Sequence, residues 1–191
     1  MLKTTHDCGG NYICKDKNKL DINVAKEKMK QHLKRNYYYY YREWAYKDIR
    51  PRIIAEEYLV DESGYELKDY KFMCFNGHPR YIVVCKNRDS QTHPAVDLFD
   101  TQWKSLTGKL TYREYQPSGF RFERPKSFET MLEICEILAK PFPFVRVDFY
   151  NIEGRIYIGE LTLYPAAGFA AYEPDELDET VGNWLTLPMK K

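Results

Sequence analysis

The chain has 191 residues, 43% of them apolar and 30% charged, enough to bury one real core in one domain or two packed lobes. Lys and Arg number 29 against 28 Asp and Glu, a net charge of +1, which lacks the basic excess of a dedicated nucleic-acid binder. No apolar run nears the roughly 18 residues that span a bilayer and no signal peptide opens the chain, so there is no transmembrane segment and the expected compartment is cytoplasmic. Leu2-Lys3-Thr4 reads as a strand, His6-Asp7-Cys8-Gly9-Gly10 as a glycine loop and Tyr12-Ile13-Cys14 as a second strand. Asp21 is placed to cap a helix with Ile22, Ala25, Met29 and Leu33 on its apolar face. Five consecutive tyrosines follow, Tyr37 to Tyr41, and residues 52–59 then read as a buried strand ending in Glu56 and Glu57.

Residues 69–86 read as a hairpin that turns at Asn76-Gly77, a strong turn signal between apolar-alternating runs, with Pro79 disturbing its register. Residues 87–125 are polar and aromatic with little periodicity, as expected of loops and short strands. Ser127 is placed to cap a second helix, with Phe128, Met131, Leu132, Cys135, Leu138 and Ala139 inward and Pro141 ending it. Residues 144–150 enter a strand, turn, and return over 155–163. The expected class is α+β with mainly antiparallel sheets. The five cysteines form no CxxC pair and the four histidines are scattered, which argues against a disulfide framework or a zinc site. His6 stands apart only through its place in the glycine loop.

The densest chemistry lies in the last hairpin. A three-residue loop, Ile152-Glu153-Gly154, with Gly154 left-handed, pairs Asn151 with Arg155. Arg146 then stands opposite Glu160 and Asp148 opposite Ile158, so Arg146, Asp148, Glu160 and Thr162 share one face. Asp148 and Glu160 become diagonal neighbours about 7–8 Å apart, a spacing suited to two carboxylates on magnesium. Val147, Phe149, Tyr157 and Leu161 take the core side. A half-exposed hairpin with a plain Arg146–Glu160 pair is the bland alternative, and a two-residue turn at Glu153-Gly154 would send Glu160 to the opposite face.

Elsewhere, Lys3 beside Gly9 and Gly10 suggests a phosphate-binding loop, against the plainer reading of a hairpin turn. Glu56, Glu57, Tyr58 and Leu59 offer acceptors to an adenine amino group, or are simply a strand end. Lys71 alternates with apolar neighbours, so it points into a cleft or lies on a solvated face. Tyr37 to Tyr41, with Trp44 and Tyr46, either pack a lobe or stack on a sugar. The acidic run from Glu173 to Glu179 reads as a solvated helix start.

Taken in order, these segments resemble one family. Lys3-Thr4-Thr5-His6-Asp7-Cys8-Gly9-Gly10, Arg42-Glu43-Trp44, Ala55-Glu56-Glu57-Tyr58-Leu59, Asp69-Tyr70-Lys71-Phe72-Met73-Cys74-Phe75-Asn76-Gly77, Phe144-Val145-Arg146-Val147-Asp148 and Gly159-Glu160-Leu161-Thr162, with Pro165 and Gly168, look like the TupA-like ATP-grasp family of surface-polysaccharide and teichuronopeptide synthesis. The resemblance spans residues 3–188. It implies an ATP-grasp fold, with a small subdomain over 1–59, a large one over 60–191 and ATP held between them. Lys3 and Lys71 would contact phosphates, Gly9 and Gly10 would cover them, and Glu56, Glu57, Tyr58 and Leu59 would line adenine. Asp148 and Glu160 would hold Mg2+, with Thr162 where many relatives carry Asn. Arg146 and Lys71 would serve catalysis, in which a carboxylate or glycan-linked acceptor is activated by ATP. The resemblance also implies a further lobe upstream of Met1, and hence a fragment, split gene or misplaced start, or a partner that supplies the lobe. A non-catalytic remnant that binds nucleotide or glycan, and a polysaccharide glycosyltransferase, are the rival readings.

Overall fold

The computed structural model describes residues 1–64, 67–86, 95–113, 115 and 117–188. The chain divides into two compact units, Met1–Leu59 and Val60–Lys191. Residues 87–94, within the stretch read as loops and short strands, lie outside the described residues.

The first unit is built on a three-stranded antiparallel sheet. Strand β1 (Leu2–Thr4) runs between β2 (Asn11–Tyr12) and β3 (Ile53–Ala55), so Lys3 faces Asn11 on one side and Ile54 on the other. Helix α1 (Ile22–Leu33) starts where Asp21 Oδ1 accepts from the N–H groups of Asn23 and Val24, each at 3.0 Å. It buries Ala25, Met29 and His32. Ile22, expected on the inner face, is exposed. The strands are two or three residues long, about 10 Å, and cannot underlie a helix of about 18 Å to its first turn.

The strand expected over 52–59 is only β3, and it is not buried: Ile53 and Ala55 are exposed, because β3 is an edge strand. Helix α2 (Tyr37–Tyr41) is capped by Asn36 Oδ1 and ended by Arg42 in the left-handed region, φ 59°. Its tyrosines divide by position. Tyr37 packs on Tyr41 and Tyr46, with ring centroids at 4.6 and 4.8 Å, and Tyr38 meets Trp44 edge-on, while Tyr39 and Tyr40 face outward.

The second unit is built on a five-stranded antiparallel sheet of β4 (Asp69–Phe75), β5 (His78–Lys86), β6 (Ala95–Asp100), β8 (Phe144–Ile152) and β9 (Arg155–Thr162). They lie side by side in the order β6-β5-β4-β8-β9. Asn76 and Gly77, both at positive φ, form a two-residue turn that closes on the pair Phe75–His78. Pro79 is accommodated because Arg80 is an extra residue: Cys74 pairs with Pro79 and Met73 with Tyr81.

Alternation along these strands makes two cores. Phe72, Ile82, Val84, Val145, Val147 and Phe149 pack under helix α3 (Phe128–Ala139), which contributes Phe128, Met131, Cys135 and Ala139. Met73, Phe75, Tyr81, Val83, Val96 and Leu98 pack on the other face with Leu110, Tyr112 and Val181, the last from helix α4 (Glu176–Gly182). There the short strand β7 (Thr111–Tyr112) pairs with β10 (Tyr172–Glu173). Ser127 precedes α3 as expected but does not cap it through its side chain; its hydroxyl donates instead to the Gly154 carbonyl at 2.9 Å, tying the helix to the β8–β9 turn.

Candidate functional site

The β8–β9 hairpin closes through a two-residue turn, not the expected three-residue loop. Glu153 and Gly154 have φ of 53° and 95°, and Ile152 pairs with Arg155. Continued without interruption, that register would set Gly159 opposite Asp148 and turn Glu160 to the α3 side. A β-bulge intervenes: Phe149 pairs with Ile158 and Asp148 with Glu160, leaving Gly159 as the extra residue. A Cβ at Gly159 would lie 3.3 Å from the Asp148 carbonyl oxygen and 3.4 Å from the Tyr150 ring, so the bulge favours glycine. The two carboxylates are thus direct cross-strand neighbours, closer than the expected diagonal, and Arg146 stands opposite Thr162. Beyond the bulge Tyr157 pairs with Tyr150 and leaves the core side, contrary to expectation. Leu161 is exposed because β9 is the sheet's edge.

Strand β4 brings Lys71 opposite Asp148 on the other side of β8. Lys71 Nζ lies 2.6 Å from Asp148 Oδ2 and 2.7 Å from Asp69 Oδ2. Arg146 donates from Nε to Asp148 Oδ1 at 2.6 Å, and from Nη2 to both Asp148 Oδ2 (2.7 Å) and Glu160 Oε1 (2.6 Å). Lys71, Asp69, Asp148 and Arg146 are nearly sequestered, whereas the Glu160 side chain is 54% exposed. Asp69 was not among the expected site residues. Its signal in the sequence is the spacing Asp69-x-Lys71, which puts both side chains on one face of a strand.

The electrostatics follow from burial and neighbours. Burial raises the Asp148 carboxyl, but Arg146 and then Lys71 outweigh it and hold the group below the usual carboxylate range. Burial lowers the Arg146 guanidinium, and Asp148, then Glu160 and Asp69, hold it above its ordinary value. Two cations against three carboxylates leave one negative charge in excess, which suits a further cation. The donor set fits magnesium. Asp148 Oδ2 and Glu160 Oε1 converge within 2.7 Å of a single nitrogen, so they can serve one small hard ion. Among the described residues no three His, Cys, Asp or Glu form a metal cluster, and magnesium needs no more than one or two carboxylates beside phosphate.

In the first unit, Lys3 Nζ pairs with Glu56 Oε1 at 2.8 Å. Glu56 is also clamped through its backbone, accepting from the Met1 amine at 2.7 Å and donating to the Met1 carbonyl at 2.8 Å. Glu57 is exposed, Leu59 is half-buried, and the Tyr58 ring lies 5.3 Å from Lys15 Nζ. The glycine loop has a buried anchor that sequence reasoning missed, because its partners are distant in the chain: Asp7 accepts from His32 Nδ1 at 2.5 Å and from the Cys8 N–H at 2.9 Å. Gly9 is exposed at φ 81°, while Gly10 is buried. Thr4 Oγ1 and both His6 ring nitrogens are buried beside this loop with no hydrogen bond among the described residues.

A Cβ on Gly10 would lie 2.3 Å from Thr4 Oγ1 and 3.0 Å from His32 Nδ1, whereas one on Gly9 meets nothing within 4 Å. Gly10→Ala should therefore destabilise the first unit by about 1–3 kcal/mol through overpacking. Gly9→Ala should cost about 1 kcal/mol, from its positive φ alone. Urea unfolding of both variants checks this, and equal costs would refute the assigned close approach.

The structure thus gathers Lys71, Arg146, Asp148, Glu160 and Thr162 on one face in the second unit, and places Lys3, Gly9, Gly10, Glu56, Glu57, Tyr58 and Leu59 in the first. No helix among the described residues is long and apolar enough to cross a membrane. The sequence model of the TupA-like ATPgrasp family matches residues 1–186. No curated protein and no solved structure matches the chain.

Proposed function

The chain belongs to the TupA-like ATP-grasp family, and from that premise we propose that it is an ATP- and Mg2+-dependent carboxylate ligase of cell-surface polysaccharide or teichuronopeptide synthesis, with an ATP-grasp fold. The observation that carries this reading is the facing pair Asp148–Glu160, held by Arg146 and flanked by Lys71. Residues 1–59 serve as the small subdomain and 60–191 as the large one.

In this reading an oxygen of the acceptor carboxylate attacks the γ-phosphorus of ATP. The bond from that phosphorus to the bridging oxygen breaks, and ADP leaves. An amine or similar nucleophile then attacks the acyl carbon, and phosphate departs. Asp148 and Glu160 would hold the magnesium, with Thr162 beside them, and the bound ion would neutralise charge on phosphate oxygens. Lys71 and Arg146 meet the charge that spreads over the transferring phosphoryl group. In the first unit, Gly9 and Gly10 leave room for phosphate to approach backbone N–H groups, Lys3 offers it a cation, and Glu56, Glu57, Tyr58 and Leu59 serve adenine.

Titration of ATP with and without MgCl2 tests the reading. Asp148→Asn and Glu160→Gln should each weaken magnesium-supported ATP binding about tenfold or more. Hydroxylamine should also trap activated acceptor as a hydroxamate, with release of ADP, when a carboxylate panel is supplied. ATP binding indifferent to magnesium in the parent chain would end the proposal.

A further inference from the structure

A cavity of about 550 Å3 lies within the second unit, on the sheet face that carries the carboxylates. Arg146 is not itself in the lining, but three lining residues neighbour it in the sheet. Met73 is the cross-strand partner of Arg146 on β4, Phe144 precedes it by two residues on the same face of β8, and Leu163 follows its β9 partner Thr162. The volume falls in the range of ordinary small-molecule sites.

The lining is mostly apolar, and its polar groups are largely spoken for. Tyr81 Oη lies 2.9 Å from Tyr112 Oη and 2.5 Å from Tyr172 Oη. Burial holds all three phenols above the ordinary tyrosine range, so they remain hydroxyls and satisfy one another. Their rings are left as apolar surface, with Tyr112 and Tyr172 stacked at 5.0 Å. Asp178 also lines the cavity, and its Oδ1 accepts from the Tyr172 N–H at 3.1 Å.

One cation stands beside this apolar space. Arg146 spends Nε and Nη2 on Asp148 and Glu160, and its Nη1 has no hydrogen bond or ion pair among the described residues. A ligand that fits both features has an apolar ring at one end and a carboxylate at the other. A bare sugar, or the polar edge of a nucleobase, would meet ring faces and engaged hydroxyls, at about 1–3 kcal/mol for each buried group left unpaired.

We infer that the cavity receives the apolar, ring-bearing body of a carboxylic acid whose carboxylate is taken by Arg146. Naming that acid as the acceptor rests on the ligase reading above; the binding site itself does not. It would give the acceptor an aromatic or similarly apolar body next to the group that is activated.

The test uses the full chain without nucleotide but with MgCl2, which balances the excess negative charge around Arg146, and follows 3-phenylpropionate, propionate and 3-phenylpropanol by ligand-observed NMR titration. Phenylpropionate should bind about tenfold more tightly than either fragment, since each lacks one of the two contacts. Gly182→Trp and Ala170→Trp, which fill the cavity from two segments, should each weaken it by a similar factor. With two filling variants, failure of one to fold leaves the other to decide. ATP with magnesium, added afterwards, should leave phenylpropionate bound. Phenylpropionate no tighter than propionate or phenylpropanol, or unmoved in a folded filling variant, would overturn the inference. So would its displacement by ATP, which would make the nucleotide the occupant. Failure of the chain to bind ATP at all would count against the ligase reading, while the nucleotide-free titrations would still judge the cavity.

Discussion

Asp148→Ala should cost the second unit about 3 kcal/mol, and Glu160→Ala under about 1 kcal/mol, although the two residues face each other across one pair of strands. The difference comes from burial. Removing Asp148 takes a partner from both Lys71 and Arg146, and breaking a buried ion pair typically costs about 3–5 kcal/mol because a charge is left uncompensated. Lys71 keeps Asp69 and Arg146 keeps Glu160, which places the expected cost at the low end. Glu160 is half-exposed, where ion pairs contribute little. Both substitutions should nonetheless weaken magnesium-supported ATP binding about tenfold or more, so stability and metal response should part company. Acid unfolding supplies a second check. The Asp148 pKa is depressed on folding, so its contribution is present above the unfolded value of about 3.9 and is lost as pH falls through the lower folded value. Asp148→Asn should flatten the acid limb of the stability profile below about pH 4. Urea midpoints for the Ala variants decide the main point: a cost for Asp148→Ala no larger than that for Glu160→Ala would mean that the cluster is solvated.

Elements set by neighbouring residues were legible in the sequence. The Asp21 cap, the Asn76-Gly77 turn and the α3 stripe of Phe128, Met131, Cys135 and Ala139 all depend on residues within a few positions of one another. The shared face of Arg146, Asp148, Glu160 and Thr162 was also legible, but by way of the wrong register. A three-residue loop without a bulge and a two-residue turn with one give the same parity beyond Gly159, and side chains report only parity. Contacts between distant segments were not legible. Asp69 joins the cluster because β4 pairs with β8, and Asp7 meets His32 because α1 lies on the first sheet. The exposure of β3 depends on its being an edge, which apolar composition over three residues does not reveal.

Gly159→Val should abolish the magnesium response, and deletion of Gly159 should preserve it. The valine's Cβ would stand 3.3 Å from the Asp148 carbonyl oxygen and 3.4 Å from the Tyr150 ring, and its two γ-methyl groups would add to that crowding. The strain, about 1–3 kcal/mol, is relieved if the bulge is squeezed out and residue 159 enters the ladder opposite Asp148. Glu160 then slips opposite Val147 and turns toward the core under α3, where a carboxylate has no partner. Magnesium-supported ATP affinity should fall about tenfold or more, as for loss of a ligand. Deleting the glycine instead removes the residue of the β8–β9 ladder that lacks a partner. Ile158 stays opposite Phe149, Glu160 stays opposite Asp148, and the ladder becomes regular at the expense of local twist. The shorter chain should therefore hold magnesium with ATP to within about threefold of the parent, a difference near 0.7 kcal/mol. ATP titration at several magnesium concentrations separates the two variants, with circular dichroism to confirm that each is folded. If the folded deletion variant lost its magnesium response as fully as Gly159→Val, the bulge's bend, and not the pairing of Asp148 with Glu160, would be what positions the second carboxylate.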